Sequence, residues 1–253
     1  MVILFRSVLS VLIIFLIAIG SYADDKTQHI ELLSKHFRLM KPEGKGSFPA
    51  VMLVPGCGGF DSEFFANHYE RVQDQLVELG FVALRIDSLA VRNAVKCHEV
   101  DPESVAGDIG VVVDYLRQQN YVKKSALNVL GWSSGGAWAL QSLRETQNRN
   151  SADVNAVIVY YPECWKVNNW DSEVPVLALF GGVDNMSPFA DCEKLIKNLK
   201  NPKKFTYRLY DDAHHGFDNP DLPPELKKYF GTVEYNESAA MAAWSEVTKF
   251  LKR

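Results

Sequence analysis

Cysteine is scarce in this chain: four among 253 residues, at 57, 97, 164 and 192. No two are spaced C-x-x-C, so zinc-ribbon and dithiol redox motifs find no support. No internal repeat or low-complexity tract occurs, which excludes solenoid architectures and long disordered linkers. Acidic residues outnumber basic ones, with a net charge of −4. The basic stretch KLIKNLKNPKK at 194–204 reads as a solvated helix face and turn, and nothing points to nucleic acid.

The chain's one long apolar run comes at its start. Val11–Ile19 is uninterrupted, Arg6 is the lone charge before it, and Ser21-Tyr22-Ala23 follows with small residues at the two positions that a signal peptidase reads. This pattern is a secretory leader at 1–23. The competing reading is a membrane anchor, but a span needs about 20 apolar residues and this run is shorter. The chain is therefore expected to be exported, periplasmic or secreted, with residues 24–253 as one α/β domain and no stable membrane span. An even cysteine count in an exported chain favours disulfides, and four cysteines allow three pairings. Asn236-Glu237-Ser238 is a glycosylation acceptor only in a eukaryotic host.

Past the leader, short apolar runs alternate with helical patterns. FPAVMLV (48–54), FVALRID (81–87), ALNVL (126–130), VNAVIVYY (154–161) and VPVLALF (174–180) suit strands buried on both faces of a parallel sheet, and Phe205–Tyr210 adds another. Phe65, Tyr69, Val72, Leu76 and Leu79 form a helical stripe stopped by Gly80. Asp101-Pro102 caps a second helix, a third follows Gly136, and Ala240, Trp244, Val247 and Leu251 line the last. The expected fold is a doubly wound, mostly parallel sheet with helices on both faces, whose ligands bind beyond the carboxyl ends of the strands.

Those strand ends carry the chemistry. Gly131-Trp132-Ser133-Ser134-Gly135 fits G-x-S-x-G, a sharp strand-to-helix turn that lifts the Ser133 hydroxyl above the sheet. A serine needs a base, and Asp184 and His215 each follow a strand run in the order Ser…Asp…His. Ser133 would attack a carbonyl, His215 would carry its proton, and Asp184 would hold the imidazole. His214 competes with His215 for the base. Asp184 could instead form an Asx turn. The N–H of Ser134, with that of Cys57 or Gly58 from Gly56-Cys57-Gly58-Gly59, would face the oxyanion. Metal and cofactor are not expected.

At these residues the chain resembles the dienelactone hydrolase family of α/β-hydrolases, in an exported, serine-bearing branch. The matching pieces are VPGCGG (54–59), IDSLAVRNAVKC (86–97), LGWSSGG (130–136), YYPEC (160–164), GGVDNMSPFADC (181–192), HHGF (214–217) and YNESAAMAAW from 235. The resemblance implies the α/β-hydrolase fold and a Ser133–Asp184–His215 triad; the family histidine precedes Gly-Phe, which selects His215. The family's eponymous enzymes carry cysteine at the position of Ser133 and hold a substrate carboxylate with two arginines. Arg92 stands near the first of these, either as an anion ligand or in a structural ion pair, and no arginine follows His215. Many relatives carry His in place of Pro55.

Pro162–Glu173 is too short for a lid domain, which leaves an open site with Trp132, Tyr161, Trp165 and Trp170 as candidate walls. Strand layout pairs Cys57 with Cys97 and Cys164 with Cys192. The functional expectation is a serine hydrolase that cleaves small-molecule carboxylic esters through an acyl-enzyme. A peptidase or amidase on the same triad, a silent binding protein on the same fold, and a Cys57 nucleophile are the alternatives.

Overall fold

The computed structural model describes residues 27–144, 152–167, 172–223, 226–228 and 231–253. The leader and Trp170 lie outside these residues. Seven strands make one sheet: β1 (Arg38–Met40), β2 (Phe48–Val54), β3 (Val82–Arg85), β4 (Val122–Trp132), β5 (Ala156–Tyr160), β6 (Val176–Gly181) and β7 (Phe205–Tyr210), in the order β1-β3-β2-β4-β5-β6-β7. Only β1 runs antiparallel.

The apolar runs are continuous because both faces of the sheet are covered. Met52, Val54, Val129 and Val159 pack with Val105, Ile109 and Trp138 on one face. Val51, Leu53, Leu130 and Ile158 pack with Tyr69, Leu76 and Val247 on the other. The helices supplying these partners are α1 (Ala66–Glu78) and α5 (Glu237–Leu251) on one side, α2 (Pro102–Gln118) and α3 (Ser134–Ser142) on the other, with α4 (Phe189–Lys197) after β6. The α2 start follows its sequence signal: the Asp101 carboxylate accepts the Ser104 N–H at 3.0 Å, and Pro102 takes the first helical position.

Two features depart from the sequence expectation, and a third, the basic stretch from Lys194, follows it as a solvated helix face and turn. β1 is an added edge strand, too short to show alternation. Lys194 and Lys197 close α4, where cations suit the carbonyl end of a helix. The helix after the serine begins at Ser134 rather than beyond Gly136, so both glycines lie inside it.

Cys57 is joined to Cys97 and Cys164 to Cys192. Two disulfides are consistent with an exported protein. Among the described residues no helix is long and apolar enough to cross a membrane. Between β5 and β6 the described residues hold one short 3-10 turn, Cys164–Lys166, and nothing that covers the strand ends.

Candidate active site

Parallel strands bring their carboxyl ends to one edge, and β2, β4, β5, β6 and β7 deliver residues to one cleft. β4 ends directly at Ser133, whose backbone takes φ 52 and ψ −120, a conformation an L-residue holds only under constraint. The constraint is the turn itself. Ser133 donates its N–H to the Tyr160 carbonyl at 3.0 Å and accepts the Ala137 N–H at 3.1 Å. A Cβ on Gly131 would lie 2.5 Å from the Gly135 carbonyl oxygen, and one on Gly135 would collide with the carbonyls of Val54 and Pro55. The two glycines of the motif are thus required by close backbone approach.

The His215 Nε2 lies 3.1 Å from the Ser133 Oγ, and its Nδ1 lies 2.8 Å from the Asp184 Oδ2. The other Asp184 oxygen accepts the N–H groups of Met186 and Ser187 at 2.8 and 2.9 Å. Burial pushes the Asp184 carboxyl up, but the His215 bond and charge and these two N–H groups outweigh it and hold it below the ordinary value. An ionised carboxylate on Nδ1 fixes the tautomer that presents an acceptor Nε2 to the serine. His215 is 5% exposed. His214, its neighbour, approaches Glu234 at 3.7 Å instead and does not line the cleft.

On the other side of Ser133, the Gly56–Gly59 loop follows β2. The Gly58 N–H is donated to the Gly56 carbonyl at 2.8 Å, inside the turn. Among the described residues the Cys57 N–H has no such acceptor. The Gly56 N–H goes to the Tyr69 hydroxyl at 3.0 Å. The loop is held from two directions: the Cys57–Cys97 disulfide, and Asp87, which accepts the N–H groups of Phe60, Leu89 and Ala90.

The cleft so formed has a volume of about 130 Å³, with Ser133 and His215 in its floor and Phe65, Tyr69, Met186 and Val233 among its walls. Lys96 is the one cationic side chain in the lining of this cleft, at its exposed rim. A larger cavity, about 470 Å³, lies between residues 27–30 and α2 and holds no nucleophile beside a base. Among the described residues no group of three or more His, Cys, Asp or Glu side chains is placed to hold a metal ion.

The expected substrate walls divide. Trp132 and Tyr161 line the cleft, yet both are buried and their polar atoms are committed to Asp218. Asp218 accepts the Trp132 indole N–H at 2.8 Å and the Tyr161 hydroxyl at 2.6 Å, and pairs with the His68 Nε2 at 3.0 Å. Burial raises the Asp218 carboxyl, and the His68 charge with the three hydrogen bonds brings it below the ordinary value. Trp165 is 54% exposed and outside the lining; the Lys166 ammonium sits over its ring. Arg92 is also away from the cleft. Its guanidinium grips the Asp108 carboxylate at 2.6 and 3.1 Å, the ion-pair alternative rather than the anion ligand. Cys57, as a disulfide half, has no thiol to offer as a nucleophile. Sequence reasoning missed Asp218, His68, Tyr69 and Lys96.

The family model of the dienelactone hydrolase family matches residues 37–253. A Bradyrhizobium protein named as a probable 2-oxo-3-(5-oxofuran-2-ylidene)propanoate lactonase is 26% identical over 234 residues, covering 85% of this chain and 87% of that protein. Among solved structures, a thermophilic esterase from Thermogutta terrifontis superposes with a TM-score of 0.59 at 18% identity, over 85% of this chain and 86% of its own. A dienelactone hydrolase-like promiscuous phosphotriesterase from metagenomic libraries gives a TM-score of 0.62 at 16% identity, over 86% and 98%.

Proposed function

From its membership of the dienelactone hydrolase family, and as a hydrolase acting on esters, we propose that this chain cleaves small-molecule carboxylic esters through an acyl-enzyme on Ser133, in an exported compartment. The observation that carries the reading is the continuous run of contacts from the Ser133 Oγ to the His215 Nε2, and from its Nδ1 to Asp184. His215 takes the hydroxyl proton as the Ser133 oxygen bonds to the ester carbonyl carbon. The carbonyl electrons move onto oxygen, and Asp184 stabilises the imidazolium. The oxyanion lies between the Ser134 N–H at the start of α3 and the Cys57 N–H, since the Gly58 N–H is already donated within its turn. Collapse breaks the bond to the alcohol oxygen, which leaves with the proton from His215. Water then bonds to the acyl carbon as His215 takes its proton; the bond to the Ser133 oxygen breaks, that oxygen regains the proton from His215, and the acid leaves.

A cleft of about 130 Å³ accommodates a short acyl group and leaves the alcohol side open. A lactone is an internal ester and meets the same groups, so the lactonase named among the relatives fits this chemistry. The leader pattern and two disulfides support export. The test is hydrolysis of p-nitrophenyl esters from acetate to long acyl chains by the wild type and by Ser133→Ala. A loss of about 10³-fold or more is expected in the variant, with short chains favoured by the wild type. Equal activity in both proteins would exclude Ser133 as the nucleophile. Inactivity of both on every ester would favour an amide substrate or a binding role.

A further inference from the structure

Beneath the serine turn lies a charged cluster that this chemistry leaves unused. Ser134, the first residue of α3, is fully buried, and its hydroxyl donates to the Glu163 carboxylate. Glu163 also donates its backbone N–H to the Ser133 carbonyl at 3.4 Å. The same carboxylate oxygen takes the Lys166 ammonium, which reaches the Ser134 hydroxyl at 3.3 Å. The two charged side chains are only 16% and 18% exposed. Lys166 is pinned in place: its carbonyl accepts the Gln141 amide of α3 at 2.9 Å, and its ammonium lies over Trp165 and 3.9 Å from the Cys97 sulfur.

This placement sets a conflict. The N-terminus of α3 is the positive end of a helix, which favours any nearby anion. A carboxylate bonded to the Ser134 side chain and an oxyanion bonded to the Ser134 N–H draw on the same helix end and repel each other. With the Glu163 and Lys166 side chains this little exposed, that repulsion is weakly screened.

We propose that Glu163 and Lys166 form a positioning pair: Glu163 fixes the Ser134 peptide that faces the oxyanion, and Lys166 supplies the counter-charge that stops Glu163 from opposing it. The proposal rests on Ser133 as nucleophile and the Ser134 N–H as oxyanion donor. It predicts a transition-state defect that depends on charge. Lys166→Met should lower kcat by about 10- to 100-fold with KM within about threefold. The double variant Lys166→Met/Glu163→Gln, which also removes the stranded carboxylate, should regain most of that loss.

The experiment measures kcat, KM and the thermal midpoint of both variants on a short p-nitrophenyl ester, beside fluorophosphonate labelling of Ser133 in the wild type. A slow single variant with a faster double, at thermal midpoints well above the assay temperature, supports the pair, because a merely structural contact would shift the midpoint through the stranded carboxylate and leave the kcat of the folded protein unchanged. An unchanged kcat in Lys166→Met, or a double no faster than the single, overturns the proposal. If Lys166→Met does not fold, Lys166→Gln takes its place with the same expectation, and failure of both to fold makes the pair structural and also overturns it. Wild type that does not label at Ser133 would instead bring down the acyl-enzyme reading beneath it.

Discussion

The Tyr161 ring packs against the His215 ring with centroids 4.4 Å apart, while its hydroxyl donates to the Asp218 carboxylate at 2.6 Å. One tyrosine thus links the histidine facing Ser133 to a buried carboxylate three residues further along the same loop. Trp132, the residue before Ser133, and His68 of α1 converge on that carboxylate too. Asp218→Asn replaces an acceptor oxygen with an N–H₂ group aimed at donors. The expected cost is about 3–5 kcal/mol, as for a broken buried ion pair, with kcat falling more than KM rises. Tyr161→Phe removes one bond and should cost about 1–2 kcal/mol. Urea unfolding of the two variants checks the order; an Asp218→Asn protein as stable as wild type would rule out the network as a brace.

Arg92 makes a second separable prediction. Asp108 is fully buried, and its carboxylate bonds Arg92 twice and the His29 ring once. Burial pushes that carboxyl up; the His29, Arg92 and Ser88 hydrogen bonds outweigh it and bring it below the ordinary value. Arg92→Ala strands the charge and should destabilise by about 3 kcal/mol, leaving KM for an anionic ester within about twofold of its value for a neutral one, relative to wild type. A selective rise in KM for the anionic ester at unchanged stability would return Arg92 to substrate binding.

What the sequence makes legible follows from range. The runs of β2, β5 and β6 read clearly because each is covered on both faces, while β7 is a half-exposed edge strand; strand order brings Ser133, Asp184 and His215 to one edge without any contact being known. β1 leaves no trace, since three residues show no period. Asp218 is silent for a different reason: its partners stand 57, 86 and 150 residues away, and a lone Asp after Gly-Phe looks like any turn residue. Aromatic walls are legible only as a composition. Exposure separates Trp165 from Trp132 and Tyr161, and exposure is a property of the packed chain. The proposed preference for Cys57 over Gly58 likewise rests on one intraloop hydrogen bond.

Gly135 couples the serine turn to the Gly56–Gly59 loop. Its missing Cβ is the space into which the carbonyls of Val54 and Pro55 fit. Both obstacles are backbone, so no rotamer change relieves them. Gly135→Ala must push β2's end away from α3, at a cost of about 1–3 kcal/mol for overpacking, and with it the Cys57 N–H. Activity should fall about tenfold or more while fluorophosphonate still labels Ser133. A variant with wild-type kcat and midpoint would mean that the loop yields freely. Gly110, with nothing near its Cβ position and no left-handed φ, is the control site for a glycine change that meets no neighbour.

Acid should weaken the fold through three buried carboxylates, two of which order the site. Asp184, Asp108 and Asp218 all lie below the ordinary value of 3.8 in the folded chain. A carboxyl depressed by folding stabilises the native state fully above its unfolded value, because there it is ionised in both states. As pH falls below that value, the unfolded chain takes up protons first, and the contribution is lost by the time pH passes the folded value. The urea midpoint should therefore carry no slope from these groups between pH 7 and about 5, and should drop progressively below about pH 4. In Asp184→Asn one of the three contributions is gone, so the acid slope should be shallower even though the variant is less stable at neutrality. Its kcat should fall by about 10⁴-fold, since an amide on Nδ1 no longer selects the tautomer that accepts the serine proton. An acid slope identical to wild type would mean that Asp184 titrates alike in both states, and would remove the electrostatic basis for its hold on His215.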